Sequence, residues 1–219
     1  NFEAYTAYLV RNFHKVVAEI LEFQREISLN RESNISMEKR RLNVGCGTNI
    51  RRGWVNLDFA KLPGVDIAHD IEKLPMPFSD NEFAEILCQD VLEHVEYVPV
   101  LKDLYRVLSP EGTITIRVPH FTSKNNYIDP THKKRFSIST FEFFIKNSRL
   151  KREREYYFDF AFSKVRERHI TFERSSRIFF YNRFVEWCIN RNNRTQEIYE
   201  STFLSRVFPA ENIVITIVK

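Results

Sequence analysis

Two glycines one residue apart follow an apolar run in Leu42-Asn-Val-Gly-Cys-Gly-Thr48, and a carboxylate closes the next such run, Trp54-Val-Asn-Leu-Asp58. Glycine accepts positive φ and lets a ligand approach with no Cβ in the way. A carboxylate at the tip of the following strand can accept hydrogen bonds from both hydroxyls of a ribose. Together they point to a cofactor of nucleoside type. A dinucleotide would need a third glycine three residues after the second, opening a helix whose N-terminus receives pyrophosphate. Here that position is Ile50. Only Gly45 to Gly53 separate the two expected strands, short of the roughly ten to twelve residues that a crossover with a full helix needs. The spacing therefore favours a cofactor without phosphate, S-adenosylmethionine, over NAD.

A second chemical group lies downstream. Ligands of an open parallel sheet sit beyond the carboxyl ends of its strands. The expected fifth strand ends at Val118-Pro-His-Phe121, which would turn His120 toward that crevice. The loop 122–136 carries Tyr127, Asp129, His132, Lys133, Lys134 and Arg135, and loops of this length in compact domains commonly serve function. His132 with Asp129 could form an oriented base, the acid fixing the imidazole tautomer. The Lys-Lys-Arg run would suit an anionic acceptor such as a phosphorylated or uronic sugar. Plainer roles stand beside these. Asp58, Asp70 and Asp129 are residues that cap turns, Cys46 suits packing better than nucleophilic attack, and His94 could serve as a structural hydrogen bonder.

The elements that must position these groups read as follows. Apolar runs predict strands at 41–45, 54–58, 65–69, 83–88 and 113–118. A helix over 98–108 stops at Ser109-Pro-Glu-Gly112. Strands alternating with helices argue for a parallel sheet covered on both faces. Beyond Gly112, the last of five glycines, the spacing predicts a helix at 138–147, and period-two alternation at Tyr156, Phe158, Phe160 and Phe162 predicts a strand. A helical region over 176–207 and a β-branched strand at 213–218 close the chain. Upstream, Phe2, Tyr5, Leu9, Phe13, Val16, Ile20, Phe23 and Ile27 recur every three or four residues, an amphipathic helix that could pack on the main domain or join two copies. Residues 30–39 read as a linker. The expected division is 1–39 helix and linker, and 40–219 catalytic domain, with its cofactor half at 40–121 and its substrate half at 122–219.

The ordered set Leu-Asn-Val-Gly-Cys-Gly, Gly-Trp-Val-Asn-Leu-Asp, Val-Leu-Glu-His and Asp-Pro-Thr-His-Lys-Lys-Arg-Phe resembles the class I S-adenosylmethionine-dependent methyltransferases, in their small type 11-like branch. The resemblance spans about Arg40 to Phe121, with the last segment at 129–136. It implies a doubly wound, mainly parallel, seven-stranded Rossmann-like sheet. It also implies that Gly45, Cys46 and Gly47 pass under the methionine and ribose of the cofactor. Asp58 would hold the ribose hydroxyls, with Phe59 next to it. Asp70 and Ile71 would flank adenine, and Gln89, Asp90 and His94 would lie toward the methionine end. Asn43 stands where many relatives carry an acid; it can hydrogen-bond to cofactor or water without a charge.

The bulk numbers fit an ordinary folded protein of 219 residues, 43% hydrophobic and 28% charged, with a mild net charge of +4. Twenty Phe and nine Tyr ask for a large aromatic core or an exposed aromatic patch. Cys46, Cys88 and Cys188 have neither disulfide nor zinc spacing, which suits a reducing, cytoplasmic setting. No run reaches the roughly 18 apolar residues of a membrane span. The expected activity is O-methylation of a small polar acceptor, a sugar or glycan precursor, with His132 or His120 as base and no metal. Two rivals stand beside it: an inactive cofactor-binding interaction subunit, and an RNA methyltransferase suggested by the Arg/Lys excess. The absence of an Asn/Asp-Pro-Pro-Tyr or Pro-Cys motif speaks against action on nucleic-acid bases.

Overall fold

A computed structural model describes residues 21–22, 24–25, 40–174 and 180–219. Apart from the helical Leu21, Glu22, Gln24 and Arg25, the helix expected over 2–29, its pairing role and the linker 30–39 lie outside the described residues.

Seven strands form one sheet: β1 Arg41–Val44, β2 Val55–Asp58, β3 Ile67–Ala68, β4 Phe83–Gln89, β5 Leu108–Pro119, β6 Lys164–Thr171 and β7 Asn212–Val218. Their order is β3-β2-β1-β4-β5-β7-β6. The first five run parallel, and β7 pairs antiparallel with both β5 and β6. Strand order reverses between β1 and β4, so the crevice beyond their carboxyl ends is the place where such a sheet binds ligands. Alternate β-branched and leucine side chains make the core. Leu42, Leu57, Ile86, Ile114, Ile116, Ile213 and Ile217 are all fully buried. This is the doubly wound, mainly parallel Rossmann-like sheet that the motif order implies.

The helices are sparser than the alternation predicts. Residues 45–54, between β1 and β2, hold turns and no helix, as the short spacing requires. Residues 59–66 and 69–82 likewise connect the next strands without one. The longest helix among the described residues, α1 (Tyr97–Val107), joins β4 to β5. Four short helices follow β5: α2 Asn125–Ile128, α3 Arg149–Glu153, α4 Asn182–Ile189 and α5 Asn193–Ser201; α6 Leu204–Val207 leads into β7.

Three local readings differ from the structure. Ser109-Pro-Glu-Gly112 does stop α1, yet β5 begins at once with Leu108 opposite Phe83. The register then jumps to Thr113 opposite Glu85, with Glu111 at φ 60. The breaker is absorbed as a bulge. The helix expected at 138–147 is a tight 3-10 turn at Thr140–Phe144. The alternating aromatics at 156–162 form no strand of the sheet. Phe158 and Phe160 lie 4.7 and 5.3 Å from the Phe144 ring, and Phe162 lies 5.2 Å from Tyr105. Their periodicity reflects packing on α1 and on that 3-10 turn, and the strand falls instead on the charged edge segment β6. Among the described residues the aromatic excess is divided: Phe83, Phe136, Phe141, Phe144, Phe162 and Phe172 are almost wholly enclosed, while Phe59, Tyr127, Tyr156, Phe180, Phe184 and Phe203 stay exposed.

Candidate active site

The turn after β1 brings Gly45 (φ 62) against the first residues after β4. A Cβ on Gly45 would stand 2.2 Å from a Val91 methyl, so this close approach excludes any other residue. Asp58, at the end of β2, is 6% exposed, and its carboxylate accepts from the Gly47 N–H at 2.8 Å and the Ala60 N–H at 3.0 Å. These two bonds fix the carboxylate and leave lone pairs on both oxygens for further donors. Asp90 follows β4 at φ 55, an uncommon conformation that side chains such as Asp tolerate best. A two-pronged ion pair with Arg117 of β5 holds it there.

Gly45, Asp58, Phe59, Asp70, Ile71, Asp90 and His94 come together around one cavity of about 490 Å³. Leu57, Val91 and Val95 add apolar wall, and His69, Glu72 and Thr131 complete the rim. Among the described residues no Lys or Arg lines it. Four carboxylates with apolar surface suit a cationic nucleoside; Arg117 and Lys133 pair with Asp90 and Glu72 from outside the lining, so the wall itself offers a pyrophosphate no cation. The donor set therefore fits S-adenosylmethionine.

Other expected residues stand off that wall. Asn43 is buried and spends its amide on Asn49 O (2.9 Å) and Asn56 Oδ1 (3.0 Å), tying the first loop to β2. Cys46 is buried with its N–H on Leu57 O at 3.0 Å, and burial pushes its thiol up, away from nucleophilic use. Gly47 supports Asp58 through its N–H. Gln89 is half-buried at the end of β4, outside the cavity lining.

Next to this cavity lies a second, of about 540 Å³, lined by Asp90, Glu93, His94, Arg117, Pro119, Asn125, Ile128, Asp129, His132, Glu211 and Asn212. Asp90 and His94 belong to both. The segment after Asp129 is strapped over the 3-10 turn Leu92–His94, because the Lys133 and Lys134 N–H groups donate to Glu93 O at 2.8 and 3.2 Å. This brings the His94 and His132 rings within 4.6 Å, edge to face. His132 Nε2 is 3.9 Å from Asp129 Oδ2, an ion-pair distance rather than a hydrogen bond. Thr131 donates its hydroxyl to Asp129 at 2.6 Å and meets His94 Nδ1 at 2.7 Å. Those Thr131 bonds hold the Asp129 carboxyl below its usual range. Burial, and then His132, lower the His94 imidazole.

Glu93 went unassigned in the sequence. It is fully buried, and neither carboxylate oxygen has a hydrogen-bond partner. Burial pushes its pKa up to about 8. An acid inside Val91-Leu-Glu-His-Val95 was the available signal, since a charge in an apolar run asks for a reason.

One sequence expectation needs correction. His120 does not face the crevice. It is fully buried, with Nδ1 beside Thr122 and Nε2 on Glu200 at 3.0 Å, packed on the Phe121 and Tyr199 rings. Both ring nitrogens are occupied, so it is a structural hub. The basic run has surface partners in this fold. Lys133 lies 3.8 Å from Glu72, Lys134 pairs with Glu96 at 2.8 Å, and Arg135 covers the Tyr127 ring at 5.1 Å.

The crevice at the switch point of this open sheet carries a carboxylate-rich and apolar wall that suits a cationic nucleoside. Residues 42–116 match the methyltransferase domain family, about a third of the chain. An uncharacterized protein of Methanocaldococcus jannaschii is 32% identical over 84 residues, a stretch covering 34% of this chain and 37% of that protein. The chain thus matches little more than a third of that relative's length. Among solved structures, an S-adenosylmethionine-dependent methyltransferase from Archaeoglobus fulgidus superposes with a TM-score of 0.50 at 22% identity, over 90% of this chain and 93% of the other. The YcgJ protein of Bacillus subtilis does so with a TM-score of 0.50 at 14% identity, over 89% and 98%. At these identities both similarities speak to fold. Among the described residues no helix is long and apolar enough to cross a membrane, and the three cysteines are unpaired.

Proposed function

We propose that the chain transfers the methyl group of S-adenosylmethionine to a hydroxyl of a small polar acceptor, a sugar or glycan precursor, in a reducing, cytoplasmic compartment. The observation that carries this reading is that the two cavities adjoin along Asp90 and His94. Donor and acceptor then meet at a shared wall, and holding them at attack distance supplies much of the rate. Asp58 would hold the ribose, Gly45 would admit the backbone under the cofactor, and Asp70, Ile71 and Phe59 would surround adenine. The sulfonium charge would lie near Asp90.

The acceptor cavity is polar, with both charge signs from Asp129, Glu211 and Arg117. That lining suits a molecule of many hydroxyls better than an aromatic one, and the pairing of Lys133 and Lys134 weakens the case for a phosphorylated one or for RNA. His132 beside Asp129 would accept the hydroxyl proton, with the pair of imidazoles excluding water around it. The test is a two-stage assay. Calorimetry with S-adenosylmethionine should show one site per chain, and absence of binding at high micromolar cofactor would sink the reading. Release of S-adenosylhomocysteine is then measured over a panel of sugars and sugar nucleotides. With the responding acceptor, His132→Ala should lower the rate by about 10²–10⁴, and full activity would place the proton elsewhere.

A further inference from the structure

Glu93, His94 and His132 each present a ligand atom within 4.8 Å of the other two. We propose that these three side chains bind a divalent transition-metal ion at the wall of the acceptor cavity. Three features of the geometry argue for it.

The first is the Glu93 carboxylate. It is completely buried, aimed among two imidazoles, with no donor on either oxygen. Buried polar atoms are almost always partnered, and an exception asks for a missing ion or water. The second is His132. Its side chain is 8% exposed, and its Nδ1 is likewise buried without a partner. The third is the support behind His94. Thr131 has a single hydroxyl proton and gives it to Asp129, so Thr131 Oγ1 must accept from His94 Nδ1. That chain fixes the tautomer and leaves the Nε2 lone pair free, the arrangement found behind metal-bound histidines.

Two imidazoles and one carboxylate are a recurrent set for Zn²⁺ and related ions, with the remaining positions open to water or substrate. Around such an ion, donors at about 2.1 Å stand roughly 3.4 Å apart in tetrahedral geometry. The present spacing needs an inward movement of about 1 Å, within the reach of ring rotation in His94 and His132. The backbone bonds from Lys133 and Lys134 to Glu93 O keep the two ligand segments together meanwhile.

The site stands independently of methyl transfer, but its role rests on that reading. The ion's open position would face the cavity in which the acceptor lies. An acceptor hydroxyl bound there releases its proton to water more readily. Its oxygen then takes the methyl carbon as the carbon–sulfur bond breaks, and the electron pair stays on sulfur to give a neutral thioether. With the site empty His132 keeps the role of base given above; with the ion bound its imidazole is a ligand and water takes the proton.

Protein stripped with chelator is titrated with Zn²⁺ by calorimetry and with Co²⁺ by visible absorption, without cofactor or acceptor. The expected result is one ion per chain, with intense Co²⁺ bands of low coordination number. Glu93→Gln and His132→Asn should each weaken binding at least about tenfold. Because Glu93 makes no side-chain hydrogen bonds, the Gln variant keeps its shape and should melt as the parent does, so lost metal affinity reads as a lost ligand. Failure of Zn²⁺ and Co²⁺ to saturate a single site below about 1 mM, or unchanged affinity in both variants, overturns the proposal. The readout involves no methyl transfer, so it is distinguishable from failure of the catalytic reading.

Discussion

Asp58 gives one carboxylate to two turns and still lines the cavity. Its two backbone bonds, from Gly47 and Ala60, hold the turns after β1 and β2 and aim its remaining lone pairs at the cavity. Asp58→Asn keeps the size and one acceptor oxygen but removes the charge. A hydrogen bond to a charged group contributes about 1.5–3 kcal/mol, so S-adenosylmethionine affinity should fall by about 10–100-fold. Calorimetry checks this, and an unchanged affinity would leave Asp58 as a loop cap alone. Its place at the cavity was legible in the sequence because it is set locally: a glycine pair, a short spacing and an acid at a strand tip all lie within twenty positions. Glu93 and Glu200 were not, since each owes its role to residues far away in the chain.

At the scale of elements, the same division holds. β1, β2, β4 and β7 were visible as apolar runs because buried parallel and central strands must be apolar. The missing helix between β1 and β2 was visible as a shortage of residues. β6 was hidden, because an edge strand tolerates and benefits from charges, and Lys164–Thr171 reads as a polar loop. The Phe158–Phe162 alternation drew the expectation away from it. What the sequence placed at the crevice, His120, the structure uses to lock α5 onto the end of β5. Glu200 of α5 accepts from His120 Nε2 (3.0 Å), Ile138 N–H (2.7 Å) and Ser137 Oγ (2.7 Å). Burial alone would raise the Glu200 carboxyl, but these three bonds bring it below its ordinary value. A carboxyl depressed in the folded state stabilises the fold above its unfolded pKa of about 4.3 and loses that contribution as pH falls through the folded value. Glu200→Gln should therefore cost about 2–3 kcal/mol at pH 7, with the gap to the parent narrowing in acid. Urea melts of both proteins between pH 7 and pH 3 measure it, and a gap that widens in acid would contradict the ionised hub.

At the scale of the whole molecule, Arg40–Lys219 is one compact unit, and the cofactor cavity draws on segments that end β1, β2, β3 and β4 together with Thr131 from the strap. A ligand seated there bridges segments that must separate when the unit unfolds, so its binding free energy adds to stability by mass action. At cofactor concentrations of about 100 times Kd the gain is about 2.7 kcal/mol. For a domain of this size each kcal/mol raises the melting temperature by about 2–4 °C, which predicts a rise of about 5–10 °C. The sign of the cavity's charge decides which nucleosides produce it. Asp58, Asp70, Glu72 and Asp90 line the cavity, and among the described residues no Lys or Arg does. S-adenosylmethionine, which carries a sulfonium and an ammonium, is favoured by that field. NAD brings two phosphates to four carboxylates with no helix N-terminus after β1 to receive them. Thermal melts with each compound at the same concentration should show the full rise for S-adenosylmethionine and none for NAD. An equal rise with both would mean that the cavity recognises only the shared adenosine, and that the carboxylates take no part in choosing the methyl donor.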